Sequence, residues 1–574
     1  MTRECHAYKA GADASGFGDS TCELPLTSIW LRFSFTDMNA IPSSPIDRLQ
    51  DDVLFEVFEW LAILDPPGPS EKYGECSLGW IAASHICQRW RRIILSMPLI
   101  WAKCAGTFPY SPHACEAIIE RSGEAPLTFW PCYDEGRWKL WGTIGLSNEL
   151  SYIANQHLER VVSIAGYGGW DNPPAYEAFA GRSAPQMRVL YVFDHSEDFA
   201  WTEALDAPRL EILMLYRSFF NIHAPSLRSL RINLTHGPFV PSYHYVLDLL
   251  EGCSLLEELN LSNLFDILSF DQSHMKSRTK RMIELPRLTD FRYSGEWLHI
   301  SSIWRSIKVA TLSRLCVELP ALARFVLPLF PDIQDSLRSP ENDTLYISFD
   351  MHELHMHVYA SHSPPSCVTV SGQRALAGVL VRVSDLVHTT PPPVMDPNLM
   401  LAPLIRALNG SQIHHLDLNI VFNMPNFPEP ALMRELLHAY TRVEALTIGH
   451  LARFEHVASL LRENQPPVFP QLHTLILKNA WNTMPGMDEF TEDSTMINMK
   501  KTWEQLSSLV SSLHAAGRNT LRRIRVAELD DTELSGEVDD VERYVEARRC
   551  CVRDLEAMGV EVELVDHEDQ RLPL

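Results

Sequence analysis

From about residue 183 onward the apolar and polar positions of the chain fall into one recurring phrase, a Pro-x-Leu or similar lead followed by an apolar–polar alternation of period two. It reads APQMRVLYVFD from Ala184, APRLEILMLYR from Ala207, APSLRSLRINL from Ala224, CSLLEELNLSNL from Cys253, LPRLTDFRYSG from Leu285, TLSRLCVEL from Thr311 and NDTLYISFDM from Asn342. It returns as QIHHLDLNIVF from Gln412, YTRVEALTIGH from Tyr440, FPQLHTLILKN from Phe469 and NTLRRIRVAEL from Asn519. Each alternating run has the length and period of a strand. Strands this short do not make a stable sheet alone. Stacked in parallel, each covers the apolar side of its neighbour, and the intervening helices or turns close the outside. Aligning the phrases brings Leu213, Leu230, Leu259 and Phe291 into one row at spacings of 17, 29 and 32, and Leu416, Leu446 and Leu475 into another at 30 and 29.

The stretch from about 352 to 411 breaks the rhythm. SHSPPS and TTPPPVMDPN predict loops, and GQRALAGVLVRVSDLV between them is compatible with a helix or a strand. The C-terminal residues predict an acidic loop, a helix and a final strand that close the repeats as a cap, its charge run forming a solvated face.

Ahead of the repeats the period changes to helical. Residues 1–40 are polar, rich in Gly and Ser, and predict a mobile leader. A helix then opens with Ser44 as cap and Pro45 in its first turn, with Asp47, Asp51 and Asp52 near its positive end. Ile46, Leu49, Val53, Val57 and Leu61 form an apolar stripe that Leu54 and Phe58 widen, and a stripe so wide on a short helix predicts burial on two sides. Residues 64–79 carry three prolines and three glycines and predict a loop. A second helix follows from about Leu78 to Leu95, with Ile81, Ala82, Ile86, Trp90, Ile93 and Ile94 on one face and Arg89, Arg91 and Arg92 largely off it. SMPLIW ends that helix before Pro98 and returns Trp101 to the core.

Composition narrows the function classes. The chain has 574 residues and a net charge of −24, from 49 cations against 73 anions. That balance disfavours nucleic-acid binding and an anionic membrane surface as roles. Apolar residues make up 46%, enough for folded cores. No apolar run reaches the length of a membrane span, and the N-terminus has no secretory apolar core. The twelve cysteines are scattered without a framework, which predicts reduced thiols in a cytoplasmic or nuclear protein. The Asn-x-Ser/Thr sequons at Asn233, Asn260, Asn342 and Asn409 then read as chance.

Four short stretches invite chemistry. HELHMH, 352–357, places His355 and His357 on one strand face but lacks the spacing of a zinc motif, and it predicts an exposed strand. His414 and His415 point to opposite faces of a strand, which does not suit chelation. GYGGW, 166–170, lacks the helix that follows a phosphate loop and predicts a turn. The basic run KSRTKR, 276–281, predicts a solvated loop, or a contact for an acidic or phosphorylated segment. No metal, cofactor or catalytic residue is expected from these signals.

The N-terminal order is Ile46-x-x-Leu49-Gln50, Val53-Leu54, Val57-Phe58, a loop, Cys87-x-Arg89-Trp90-Arg91 and Pro98-Leu99-x-Trp101. Over residues 43–103 it resembles the F-box, a helical module that binds the Skp1 adaptor of cullin-based ubiquitin ligases. Gln50 departs from the proline usual at that place, and the 64–79 loop is longer than in the compact motif and similar to a fungal variant. The resemblance implies a substrate-receptor subunit that holds Skp1, and through it a cullin, by Leu49, Gln50, Val53, Leu54, Val57, Phe58, Arg89 and Trp90. An unidentified protein substrate would bind the repeats. The expected fold class is α/β: a helical F-box-like domain at 41–105, a linking region or cap at 106–182, and a leucine-rich-repeat-like solenoid with a parallel sheet at 183–574. Such a subunit is not an enzyme. Two alternatives remain at this point, a non-ligase scaffold and an enzyme with its site in 330–411.

Overall fold

The computed structural model describes residues 45–69, 76–108, 111–129, 148–167, 175–193, 203–234, 243–263, 282–295, 297–309, 314–320, 341–349, 353–361, 378–384, 410–420, 430–449, 454–462, 468–478, 492–518, 520–528 and 538–566, with short pieces at 312, 337, 367–368, 374–375 and 408. The leader, KSRTKR, most of SHSPPS, TTPPPVMDPN and the acidic loop before the last helix lie outside the described residues. The chain divides into two compact units, Met1–Leu54 and Phe55–Leu574. In the first, a 3₁₀ turn at Pro45–Arg48 precedes the opening turn of helix α1, Asp51–Leu64. The expected α-helical start at Pro45 is therefore corrected. The α-helix begins six residues later, and Asp51 and Asp52 occupy its first turn.

The second unit is mixed α/β and is built on one large open sheet. Its sixteen strands are β1 (Leu127–Phe129), β2 (Val161–Tyr167), β3 (Val189–Phe193), β4 (Ile212–Tyr216), β5 (Ser229–Asn233), β6 (Glu258–Ser262), β7 (Asp290–Ser294), β8 (Arg314–Pro320), β9 (Thr344–Phe349), β10 (Glu353–Tyr359), β11 (Gly378–Ser384), β12 (His415–Ile420), β13 (Ala445–Ile448), β14 (Thr474–Leu477), β15 (Arg523–Glu528) and β16 (Glu561–Asp566). Strands β1 to β8 lie side by side in chain order, then come β11, β10 and β9, and β12 to β16 resume chain order. Every pairing is parallel except those of β10, which is antiparallel to both β9 and β11.

The leucine spacings set the register. Leu213 pairs with Leu230, Leu230 with Leu259 and Leu259 with Phe291. Leu416 pairs with Leu446, and Leu446 with Leu475. These belong to one apolar row that crosses the sheet through Leu190, Leu315, Val379, Val358, Leu345 and Ile524 to Val562. A second row two residues on runs from Val192 through Leu215, Ile232, Leu261, Tyr293 and Val317 to Leu477, Val526 and Leu564. The first row is buried from Leu190 to Ile524. A slip of one residue in any strand would turn its row members to the other face, so the rows enforce the register.

The break in rhythm at 352–411 is a reversal of the sheet. Only three residues separate β9 from β10, and so short a link permits only an antiparallel return. GVLVRVS, left open between helix and strand by the sequence, is β11. Gly378 opens it at φ +100°, where a Cβ would crowd the Val358 carbonyl of β10. The exposed strand expected at HELHMH is corrected in the same way. Flanked on both sides, β10 keeps His357 buried, stacked on Tyr359 at 4.5 Å, and His355 half-buried. His352 lies outside the described residues.

Beyond the reversal, Lys478 lies just past β14 and reaches two strands back to Asp417 on β12, Nζ to Oδ2 at 2.6 Å. The Asp417 side chain is 4% exposed and that of Lys478 35%. Burial pushes the Asp417 carboxyl above its ordinary range, with Lys478 opposing. A raised acid favours folding below its ordinary pKa and loses that contribution as the pH rises through its folded pKa. Lys478→Ala therefore strands a buried charge and should cost about 3 kcal/mol at neutral pH, a loss that shrinks in acid. Asp417→Asn, which removes the costly charge, should cost far less. Denaturant titrations of both variants at two pH values check the asymmetry.

Candidate docking surface

Helix α1 presents two apolar stripes. Leu54 and Phe58 face inward and are buried. Phe58 meets Trp90 edge to face at 5.2 Å. Val57, Trp60 and Leu64, spaced by three and four, share the other stripe and are exposed, Trp60 by 64% and Leu64 by 76%. Ile63 is exposed too.

The proline-rich loop leaves this helix undisturbed because its two ends are tied together. The Trp80 N–H donates to the Asp65 carbonyl at 2.8 Å. The turn needs Gly79 at φ +50°, where a Cβ would stand 2.5 Å from the Asp65 oxygen. The expected single helix from Leu78 to Leu95 is corrected to two pieces, a 3₁₀ helix at Gly79–His85 and α2 at Gln88–Leu95. The break falls at Ile86–Cys87, where extended Cys87 caps α2 and its Sγ accepts from the Trp90 N–H at 3.4 Å. In consequence Ile86, assigned to the inner face, is exposed.

Helix α3, Pro98–Ala102, folds back beneath. Trp101 is the core anchor that its sequence context predicts: it is buried, its Nε1–H donates to the Ile94 carbonyl at 2.8 Å, and it meets Trp80 edge to face at 4.9 Å. Helix α4, Pro112–Ser122, supplies Arg121, whose guanidinium lies 4.8 Å from the Trp101 ring centre. This framework turns Ile93, Ile94 and Ile100 inward and leaves Leu95 and Leu99 in water, Leu99 by 59%.

Of the thirteen exposed large hydrophobic side chains among the described residues, eight fall between Val57 and Leu99. Each Leu or Ile left in water forgoes part of the roughly 1.5–3 kcal/mol that full burial supplies. Exposed apolar side chains that adjoin one another mark an interaction surface, whereas single ones do not; Val57, Trp60 and Leu64 adjoin at helical spacing. Arg91 and Arg92 of α2 and Asp51, Asp52, Glu56 and Glu59 of α1 are exposed charges on the same two helices.

Of the residues singled out by sequence, Gln50, Val53 and Val57 are exposed, and Leu49, Arg89 and Trp90 are half-buried. Leu54 and Phe58 are buried. Sequence reasoning missed Trp60, Ile63, Leu64, Leu95 and Leu99. The signal for the first three was present, since Val57, Trp60 and Leu64 are themselves helically spaced one position around from Leu54, Phe58 and Leu61.

Other candidate chemistry resolves into structure. His414 Nδ1 meets Glu444 at 3.0 Å, and His473 Nε2 reaches the other Glu444 oxygen at 3.2 Å. Hydrogen bonds from the two imidazoles hold the Glu444 carboxyl below its usual range, while burial lowers His415. Among the described residues no group of three or more His, Cys, Asp or Glu is placed to hold a metal, and no helix is long and apolar enough to cross a membrane. Of GYGGW, Gly166 and Tyr167 end strand β2 and the rest lies outside the described residues. No family model matches the chain, and no curated protein matches it significantly.

Proposed function

We propose that the chain is a non-catalytic adaptor of the F-box type. Its N-terminal helices hold a Skp1-like protein, and through it a cullin. Its repeat-bearing region, a leucine-rich-repeat-like solenoid, holds a protein destined for ubiquitin transfer. The observation that carries this reading is the concentration of exposed apolar side chains on α1, α2 and α3, in the same residues that resemble the F-box. Their inner faces are already satisfied by Phe58–Trp90 and Trp80–Trp101 packing, so the outer side chains are surplus to folding. Surplus of this kind suits a helix-in-groove partner. The substrate's lysine would then react by proximity, with no group on this chain taking part in bond making.

Purification of the tagged full-length chain from cells tests the proposal. Skp1 and a cullin in near-equal amounts support it. Skp1 without a cullin favours the scaffold reading, and absence of both refutes the adaptor reading.

A further inference from the structure

The two edges of the sheet differ. Edge strand β1 has three residues, and Leu127 and Phe129 on it are fully buried. Edge strand β16 has six residues, EVELVD, and among the described residues it pairs only with β15. Leu564 is the last member of the apolar row that runs from Val192 through Leu477 and Val526, and it is 48% exposed. The buried row thus runs out into water at this edge.

Among the described residues the backbone there has no outer strand either. In a parallel pair, alternate residues turn their N–H and C=O toward the neighbour. The Glu561 N–H donates to the Arg522 carbonyl at 2.8 Å, so Glu561, Glu563 and Val565 face β15. The N–H and C=O groups of Val562 and Leu564 face away from the sheet. On the opposite face from the apolar rows, Arg523 meets Glu561 at 3.0 Å and Arg525 meets Glu563 at 2.9 Å. Both carboxylates remain well exposed. The next strand outward would therefore meet acids on one face and aliphatic side chains on the other.

We propose that β16 is a β-augmentation site for an extended segment of another protein that alternates basic and aliphatic residues. Its basic side chains would lie beside Glu561 and Glu563, continuing the alternation of charge begun by Arg523 and Arg525. Its aliphatic side chains would cover Leu564 and Val562. Main-chain bonds supply affinity in this mode, and the alternating side chains supply selectivity. A second copy of this chain is the wrong occupant, because edge-to-edge pairing sets Glu561 and Glu563 against an equally acidic strand. The site does not depend on the adaptor reading, which concerns residues at the other end of the sequence.

Fluorescence anisotropy on the full-length protein tests this with three short labelled peptides. One alternates lysine with valine, one lysine with glycine and one glutamate with valine. The lysine–valine peptide should bind at least about tenfold more tightly than either control. Leu564→Pro removes an outward donor without touching the ladder to β15, and Leu564→Lys removes the apolar contact without a backbone change. Each should weaken binding at least about tenfold while the far-UV circular dichroism stays that of the parent. Should Leu564→Pro lose the fold, Leu564→Lys alone decides. Equal binding of the two lysine peptides would mean attraction to the net charge only and would overturn the proposal. So would absence of lysine–valine binding, or binding unchanged in Leu564→Lys.

Discussion

Trp60→Asp is expected to abolish capture of the Skp1-like partner while leaving the unfolding midpoint of the free protein within about 1 °C of the parent, since surface changes rarely move stability by more than about 0.5 kcal/mol. Tryptophan is the residue most often found to dominate an interface, and truncating such an anchor costs about 2–4 kcal/mol, or roughly thirtyfold to a thousandfold in affinity. Trp60 is 64% exposed. Leu99→Asp on α3, made separately, should act in the same direction with a smaller loss. Titration calorimetry of each purified variant with the purified adaptor reads both effects. The pairing of lost binding with intact stability is what separates a docking role from a structural one.

Trp101→Ala should do the reverse, lowering stability by about 3–5 kcal/mol, the usual cost of emptying a large aromatic site. Three interactions fail together: the indole bond to the Ile94 carbonyl, the edge-to-face contact with Trp80 and the cation–π contact with Arg121. Trp101→Phe keeps most of the volume and loses the indole bond, so it should cost about 1–3 kcal/mol. A denaturant titration of the two variants orders them. The pair of tryptophans thus divides labour. Trp101 packs the interior, and Trp60 is the exposed side chain on which the proposed docking depends.

The sheet was legible in the sequence because its signal repeats. A single alternating strand is ambiguous, but eleven copies of one phrase fix both the strand positions and the Leu213–Leu230–Leu259–Phe291 register. The reversal at β9–β11 was not legible. Parallel and antiparallel partners bury the same alternating side chains, and only the three-residue link between β9 and β10 distinguishes them. His357 was misjudged for the same reason, since exposure of a polar strand residue depends on neighbours that lie far away in sequence. At the N-terminal end, the apolar periodicity marked helix α1 and blurred its two faces. Leu54 and Val57 differ by less than one turn, yet Leu54 is buried and Val57 is 41% exposed. Periodicity tells which positions share a face, and only packing tells which face is inside.

The central claim is that the outer face of α1 to α3 belongs to a second polypeptide. Amide hydrogen exchange of the full-length protein, measured with and without a purified Skp1–cullin complex, tests it most directly. The account predicts slowed exchange in 55–64 and 88–102 on addition of the complex, with the strands from β1 to β16 unchanged. Exchange in those helical segments that stays the same, while the complex is present in saturating excess, would contradict it.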